Sequence, residues 1–275
     1  MASSLKATRR TFVKALGSIS ALGTLAPLSL GAFQPYLASA SIRQFAIVAS
    51  ATHVIKVFSV SENGSWEHVQ TVPSLSPTSL VLSPDQRFLY AANGVDSFAH
   101  RPTGSVEAFA IERQTGQLTR LNQQALALFS TLPTHLAVSP SGRWLASAAS
   151  GGCNLLPIRA DGFIGRLTAV TRSLNAKALN KDLDNLIQPE LKFKSEEVLE
   201  FTDAFRERIL SYRVTPQGAL SLEGDCSTFL SVPSYQPSPS DVNGTTHVGI
   251  NHAQPAKFSE VSLVPAPTAI AIVHL

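Results

Sequence analysis

Cysteine is scarce in this 275-residue chain, which contains only Cys153 and Cys226. Two cysteines so far apart exclude a disulfide-dense scaffold and leave no paired C-x-x-C motif for a structural zinc ion. A disulfide between them can form outside the cytoplasm. Because Cys153 stands where related phrases of the chain carry valine or isoleucine, we favour a buried thiol that packs as a small apolar side chain.

The common signatures of catalysis are also missing. The chain has no G-x-S-x-G, H-E-x-x-H, C-x-x-C or P-loop pattern, which excludes the usual serine hydrolases, zincins, thioredoxins and NTPases. His247 and His252 lie five residues apart without a carboxylate or cysteine companion, so we expect no metal site. We expect no cofactor either.

Long apolar runs are missing beyond residue 40, so we expect no later segment to span a bilayer. Residues 1–40 have the basic region, the weakly apolar region and the final Ala-Ser-Ala of an export signal. Within them TRRTFVK at 8–14 resembles the twin-arginine signature, which the Tat translocase of folded proteins reads. A membrane anchor is the alternative, but Pro27 and several Gly, Ser and Thr residues interrupt the apolar stretch.

We therefore expect cleavage after Ala40, a periplasmic or secreted product, the Tat translocase as a partner during export, and no membrane association afterwards. The formal net charge of the chain is +3, but residues 1–40 contain four basic residues and no acidic one. Their removal takes +3 to −1, so no surface for nucleic acid is expected. Residues 41–275 are enough for one all-β domain.

What the chain does contain is a repeated sequence motif. LSPDQRFLYAAN at 82–93 returns as VSPSGRWLASAA at 138–149. A second phrase follows each copy and occurs, with variation, five times: an apolar residue, an aromatic or apolar residue three later, and another two later. In four copies a glycine follows, where we expect a turn with positive φ. The five triplets are Ile55/Phe58/Val60, Val106/Phe109/Ile111, Cys153/Leu156/Ile158, Ile209/Tyr212/Val214 and Ile270/Val273/Leu275, and the four glycines are Gly64, Gly116, Gly162 and Gly218.

The last residues of these triplets stand 51, 47, 56 and 61 residues apart. Such periods, built from short strand phrases and turn residues, are typical of propeller blades. We expect residues 80–82 and 87–92 to be the first two strands of a blade, joined by a turn at 83–86, and the second phrase to be its third strand. The predicted fold is all-β: a β-propeller of four-stranded antiparallel blades over residues 41–275, with about five recognisable blades.

These phrases resemble the lactonase family of seven-bladed propellers, which includes 6-phosphogluconolactonase. The likeness is strongest at 77–167, in P-x-x-L-x-x-SPDxRFLYAAN, GSVEAFAIxRxTGxLTxLN and P-x-HLAVSPSGRWL, and it returns in TDAFRERILSYRVTPQGAL at 202–220. The resemblance implies a propeller that hydrolyses a small-molecule sugar lactone. It therefore places the chain in carbohydrate metabolism.

The chain departs from this family in its length and in two segments. Five third-strand phrases stand in place of seven, and we expect irregular insertions at about 171–200 and 227–264. In the first insertion, Leu174, Leu179, Leu183 and Leu186 fit either a short amphipathic helix or a loop. The ring is therefore smaller or open, or two copies complete each other, and the oligomeric state is left undecided.

Hydrolysis of a lactone needs an activated water molecule and a positive or hydrogen-bonding group that faces the developing oxyanion. In an antiparallel blade, the start of the inner strand and the loop between the second and third strands lie on the same rim. Six polar residues occur at such points. We predict that His135, Arg208 and Glu190 are catalytic and that Asn93, Asp203 and Arg206 bind the substrate.

Each of these assignments has a simpler alternative. His135 can be a packed or hydrogen-bonded residue of the rim, and Glu190 can be a solvated carboxylate. The family's cleft carries a His in a P-H-P-H phrase, an Arg in G-P-R-H and a Glu after an Asn. The first phrase aligns with Gln188-Pro189-Glu190-Leu191, which has no His, and the other two have no counterpart here.

Three functions are consistent with these observations. The first is a sugar-lactone hydrolase, for which export favours an unphosphorylated substrate. The second is a binding or scaffold propeller that has lost its catalytic cleft, and the third is a decayed family member that folds poorly. Ionisable groups with perturbed pKa values in a central site would favour the first.

We predict that residues 1–40, fused to a reporter, carry it across the membrane only when both arginines are present. Arg9→Lys combined with Arg10→Lys should retain the fusion in the cytoplasm, as measured by fractionation. Unchanged export of the double variant would instead assign the signal to the general secretory route.

Overall fold

The computed structural model describes residues 43–150, 152–171, 190–203, 208–227, 264 and 266–275. The chain divides into two units, residues 1–40 and residues 41–275, and all described residues belong to the second. The predicted export signal and the four leucines between 174 and 186 lie outside the described residues. None of the described segments is a helix with the length and hydropathy needed to cross a bilayer.

The described residues form short β-strands, as their apolar and alternating phrases predict. Turns built on Gly, Pro, Asp and Ser separate them. In chain order the strands are β1 Gln44–Ser50, β2 Val54–Val60, β3 Trp66–Pro73, β4 Pro77–Leu82, β5 Phe88–Asn93, β6 Ser105–Ile111, β7 Leu118–Ala125, β8 His135–Val138, β9 Trp144–Ala149, β10 Gly152–Pro157, β11 Ala169–Val170, β12 Glu190–Phe193, β13 Val198–Asp203, β14 Arg208–Val214, β15 Leu220–Ser227 and β16 Pro267–His274.

These strands pair into four antiparallel sheets of four strands each within the described ranges. Sheet 1 has the order β16-β1-β2-β3, sheet 2 the order β4-β5-β6-β7, sheet 3 the order β8-β9-β10-β11 and sheet 4 the order β12-β13-β14-β15. The first strands of successive sheets pack beside one another, from β16 to β4, β8 and β12. This is the arrangement of propeller blades, with the first strand of each sheet nearest the axis, and the predicted fold class is confirmed.

The predicted hairpin and its glycines have the expected conformations. In sheet 2, β4 and β5 flank the turn that begins at Ser83, and GSVEAFAI supplies β6 as the third strand. The turns that follow the third strands contain Gly64, Gly116, Gly162 and Gly218, with φ of 83°, 69°, 83° and 81°. Glycine adopts such angles without a steric cost, so it is the favoured residue at these four positions.

Two predictions about strand assignment were wrong. The terminal phrase TAIAIVHL is not the third strand of a fifth blade: β16 pairs with β1, with Val48 opposite Ile270, and is the first strand of sheet 1. The segment predicted to be irregular up to residue 200 also contains β12 and the start of β13, the first two strands of sheet 4. Both errors have one cause, because local periodicity identifies a strand but not its partner.

An aromatic ring joins each sheet to the next. The second strand of each of sheets 1 to 3 has an aromatic residue at its first or second position, and the ring lies against the turn glycine of the following sheet. A Cβ atom on that glycine would overlap the ring. Arg87 and Arg143 stack on two of these rings, at 5.0 Å from the Phe88 centroid and 5.9 Å from the Trp144 centroid. The three contacts are Phe45 with Gly116, Phe88 with Gly162 and Trp144 with Gly218.

Apolar side chains fill the junctions between the sheets. Because side chains alternate along a strand, β5 turns Leu89 and Ala91 towards sheet 1 and Tyr90 and Ala92 towards sheet 3. All four are completely buried. Each inner sheet is therefore apolar on both faces, which explains why its strands read as nearly continuous apolar runs.

Sheet 4 differs on the face that points away from sheet 3. In sheet 2 the corresponding face pairs Tyr90 with Ala108 across β5 and β6, whereas sheet 4 pairs Glu200 with Ser211 at the equivalent positions. Glu200 also forms an ion pair of 3.1 Å with Lys194. This face carries charge where the corresponding face of sheet 2 carries apolar side chains.

Cys153 is a free, fully buried thiol in β10. Burial raises its pKa to about 12, which keeps it protonated and unreactive at neutral pH. This is the packing role that its position in the repeat predicts. The side chain of Cys226 lies outside the described residues.

We predict that Gly162→Ala destabilises the protein more than Gly64→Ala does. Both glycines have φ of +83°, but a Cβ at residue 64 meets nothing within 4 Å, whereas one at residue 162 overlaps Phe88. The backbone cost of alanine, about 1 kcal/mol, is shared, and displacement of the ring adds about 1–3 kcal/mol. Urea unfolding measures both values, and equal losses would show that the ring contact does not stabilise the junction.

Candidate active site

The candidate residues gather at the edge of the sheets where the first strands begin, which we call the site rim. Antiparallel pairing produces it: at this edge of sheet 2, the start of β4 and the start of β6 both lie beside Asn93, the last residue of β5. In sheet 4, Glu190 at the start of β12 lies opposite Thr202 near the end of β13. In both sheets, therefore, the start of the first strand and the end of the second strand lie at the same edge.

His135 is the first residue of β8 and therefore stands on the site rim close to the axis. It lies opposite Ala148 in β9, and its side chain is half-buried. Burial lowers the pKa of this imidazole, and the charge of Glu190 and a hydrogen bond to the backbone of Leu191 act in the opposite direction. The net effect is a histidine that is neutral at neutral pH.

Glu190 begins β12, the strand that packs beside β8. Its carboxylate is exposed to solvent, and it is close enough for its charge to act on His135. The two residues are 55 positions apart in the sequence and come near each other because both start a first strand. A neutral imidazole held by the backbone can accept a proton from water, and the adjacent carboxylate stabilises the imidazolium that results.

Arg208 lies on the same rim but belongs to β14, the third strand of sheet 4. Its Nη1 atom is 2.7 Å from Oδ2 of Asp225, and both side chains are partly exposed. Asp203 is opposite Arg208 in the backbone ladder, while its side chain lies outside the described residues, as does the whole of Arg206. The structure thus brings His135 and Glu190 together and places Arg208 farther from the axis, beside another carboxylate.

Asn93 is completely buried at the junction between sheets 1 and 2. Its Oδ1 atom accepts a hydrogen bond of 3.3 Å from Ser74, and its Nδ2 atom donates one of 3.2 Å to Ser105. These bonds explain why an amide stands at the end of this strand. A role for Asn93 in substrate binding stays a prediction.

Glu107 was not selected from the sequence, although it is fully buried in β6. One carboxylate oxygen lies 2.6 Å from Nη2 of Arg120, and the other accepts a hydrogen bond of 2.6 Å from Ser74. A glutamate inside the apolar phrase SVEAFAI is the signal that could have revealed it, since an unpaired buried charge is too costly to persist. Its partners give it a structural role: it fixes the loop that leads into β4.

Asn154 occupies the equivalent position in β10 and has the equivalent role. It is completely buried, and its Oδ1 atom accepts a hydrogen bond of 3.0 Å from the backbone of Ala127. Ala127 belongs to the loop at 126–134, which ends immediately before His135. A buried polar side chain thus anchors the loop that positions the candidate base.

The described ranges contain no group of three or more His, Cys, Asp and Glu side chains arranged to hold a metal ion.

Four-stranded antiparallel sheets whose first strands pack around an axis define a β-propeller. The chain belongs to the lactonase family of seven-bladed β-propellers, because the model of that family matches residues 45–186. The match begins in β1 and ends beyond sheet 3, so it includes His135 and both copies of the repeated motif.

Two curated relatives are 6-phosphogluconolactonases. The chain is 35% identical over 130 residues to that of Pectobacterium carotovorum, an alignment that covers 45% of this chain and 35% of the relative. It is 32% identical over 146 residues to that of Photorhabdus laumondii, covering 50% and 40%. The alignments thus span well under half the length of either relative.

Among solved structures, the periplasmic gluconolactonase PpgL of Pseudomonas aeruginosa has a similar fold. It superposes with a TM-score of 0.54 at 21% identity, over 64% of this chain and 51% of that protein. At this level of identity the likeness shows the fold alone.

We predict that Glu190→Gln lowers the pKa of His135 further, because loss of the carboxylate removes a cause that raises it and leaves burial, which lowers it. An NMR titration of the histidine rings measures the change, with the His135 signal assigned by its loss in His135→Ala. Glu196→Gln is the matched control, since Glu196 binds Ser141 at the opposite rim. An unchanged pKa in Glu190→Gln would mean that the two side chains do not interact.

Proposed function

We propose that the protein is a hydrolase of sugar lactones and that His135 is its general base. The observation that carries this proposal is the position of His135 and Glu190 at the starts of two adjacent first strands, β8 and β12. The curated relatives support the reaction class, since they are named for lactone hydrolysis. They give no support to the alternative of an inactive binding propeller.

In the proposed reaction, His135 removes a proton from a water molecule as its oxygen attacks the lactone carbonyl carbon. The ring C–O bond then breaks, and the alkoxide that leaves takes the proton back from the imidazolium. The products are a hydroxy acid and the regenerated neutral histidine. Glu190 stabilises the imidazolium between the two proton transfers, and the backbone of Leu191 fixes the orientation of the ring.

Arg208 is the proposed cation for the oxyanion. Its guanidinium is bound to Asp225, so this role requires it to exchange or share that partner when the substrate binds. Two variants therefore test the assignment in opposite directions. Asp225→Asn should leave the Arg208 guanidinium free to bind the oxyanion, while Arg208→Ala removes the cation.

We further propose that the substrate is unphosphorylated and that the protein works outside the cytoplasm. The twin-arginine pattern at 8–14 supports export, and a structural neighbour is described as a periplasmic gluconolactonase. Phosphorylated sugars belong to the cytoplasm, so an exported lactonase is better matched to a neutral sugar lactone.

The decisive experiment follows acid release from gluconolactone in a pH-stat, corrected for spontaneous ring opening. We expect His135→Ala to lower kcat by about 100-fold or more, the usual contribution of a general base, and Glu190→Gln to lower it less. The acidic limb of the kcat profile should follow the depressed pKa of His135 and move to still lower pH in Glu190→Gln.

His68→Ala is the matched control, because His68 is an exposed histidine on the outer strand β3. It should retain wild-type activity. Hydrolysis that survives in His135→Ala would refute the assigned base, and a folded protein without activity on any lactone would refute the enzyme proposal itself.

A further inference from the structure

The backbone of the site rim is unusually strained. Within the described residues, eight amino acids other than glycine have positive φ, and all except Gln86 lie in loops of this rim. Phe129 is the bulkiest, with φ of 66°, and Leu132 follows at 48°. Bulky side chains avoid the left-handed region, and residues held there against their preference cluster at functional sites.

The same rim exposes apolar side chains. Among the large hydrophobic residues of the described chain, five are exposed, and four of them are Leu75, Leu128, Phe129 and Leu132 in rim loops. Phe129 is the most exposed, at 69%. Three of the four belong to the loop at 126–134, which leads directly into His135.

Hydrogen bonds hold this loop in place along its length. Asn154 binds the backbone of Ala127, and the amide of Phe129 donates to the carbonyl of Pro102 at 2.7 Å. Near the other end, Thr78 donates to the carbonyl of Pro133. The exposure of Phe129 is therefore imposed by a fixed backbone, because its amide is tied to a neighbouring loop while its ring faces solvent.

Charge near the axis disfavours a phosphate group. Glu190 begins β12 with an exposed carboxylate, and β12 packs beside β8, which begins with His135. A sugar lactone without phosphate has one face made of C–H groups, and such a face packs on an aromatic ring with little loss of hydration. The exposed ring of Phe129 suits this class of ligand.

We propose that Phe129 is the stacking platform of the site and makes it selective for an unphosphorylated sugar lactone. This proposal rests on the proposed lactonase function, which supplies His135 as the reacting group. Phe129 binds the C–H face of the lactone ring, and the loop that carries it leads directly into His135 at the start of β8.

The key variant is Phe129→Asn. Asparagine tolerates positive φ better than any other non-glycine residue, so the variant removes the ring but keeps the loop conformation. We expect it to raise the KM for gluconolactone and the Kd for the non-hydrolysable analogue gluconolactam by about tenfold, typical of a lost stacking contact. The value of kcat should stay within about twofold, and Phe129→Trp should restore binding.

Leu222→Asn is the matched control, because Leu222 is an exposed apolar residue, 55% accessible, on the outer strand β15. Neither binding nor KM should change in it. Thermal unfolding should show Phe129→Asn to be at least as stable as the wild type, which separates loss of the platform from loss of the fold.

Selectivity is tested with 6-phosphogluconolactone. We expect a lower kcat/KM for it than for gluconolactone, with a ratio unchanged in Arg101→Ala, since Arg101 is an exposed cation on the neighbouring rim loop. A preference for the phosphorylated lactone that Arg101→Ala abolishes would overturn the assigned substrate class.

Failure of this proposal is distinguishable from failure of the lactonase function. Hydrolysis that needs His135 but has the same KM in Phe129→Asn would overturn the platform alone. Binding of gluconolactam through Phe129 without hydrolysis of any lactone would keep the platform and overturn the reaction. A wild-type protein that neither binds the lactam nor hydrolyses a lactone would overturn both.

Discussion

The contact between an aromatic ring and a turn glycine at each sheet junction is the constraint on which the rest of the structure depends. A glycine at positive φ leaves space for the ring of the preceding sheet, and a larger side chain would push the two sheets apart. This requirement explains why Arg-Phe and Arg-Trp occur at the same place in the two copies of the repeated motif. The motif is repeated because the same packing is needed at each junction.

The site is a consequence of that packing. Because each sheet sits against the next in the same register, the first strands lie side by side and start at the same edge, which makes neighbours of His135 and Glu190. Burial of the imidazole then sets its pKa, and Asn154 fixes the loop that precedes it. No part of this arrangement depends on a local sequence motif, and none of the common catalytic signatures is present.

Local features could be predicted from the sequence and distant partners could not. The turn glycines, the hairpin beginning at Ser83 and the burial of Cys153 depend on residues close together in the chain, and each is confirmed. Two other contacts join segments that no sequence periodicity connects. They are the pairing of β16 with β1 and the hydrogen bond from Ser74 to the side-chain amide of Asn93. His135 and Glu190 could be predicted only in part. Strand position predicts that His135 lies on the site rim, but it does not predict how close Glu190 is.

The pairing of β16 with β1 also determines when the first sheet can be completed during synthesis. Strands β1, β2 and β3 leave the ribosome early, yet the inner edge of β1 stays without its partner until residues 267–274 have been made. Closing so long a loop is slow, and an unpaired edge in a nascent chain invites association with other chains. Until the last strand has been made, the inner edge of β1 is therefore a site at which a nascent chain can pair with another chain.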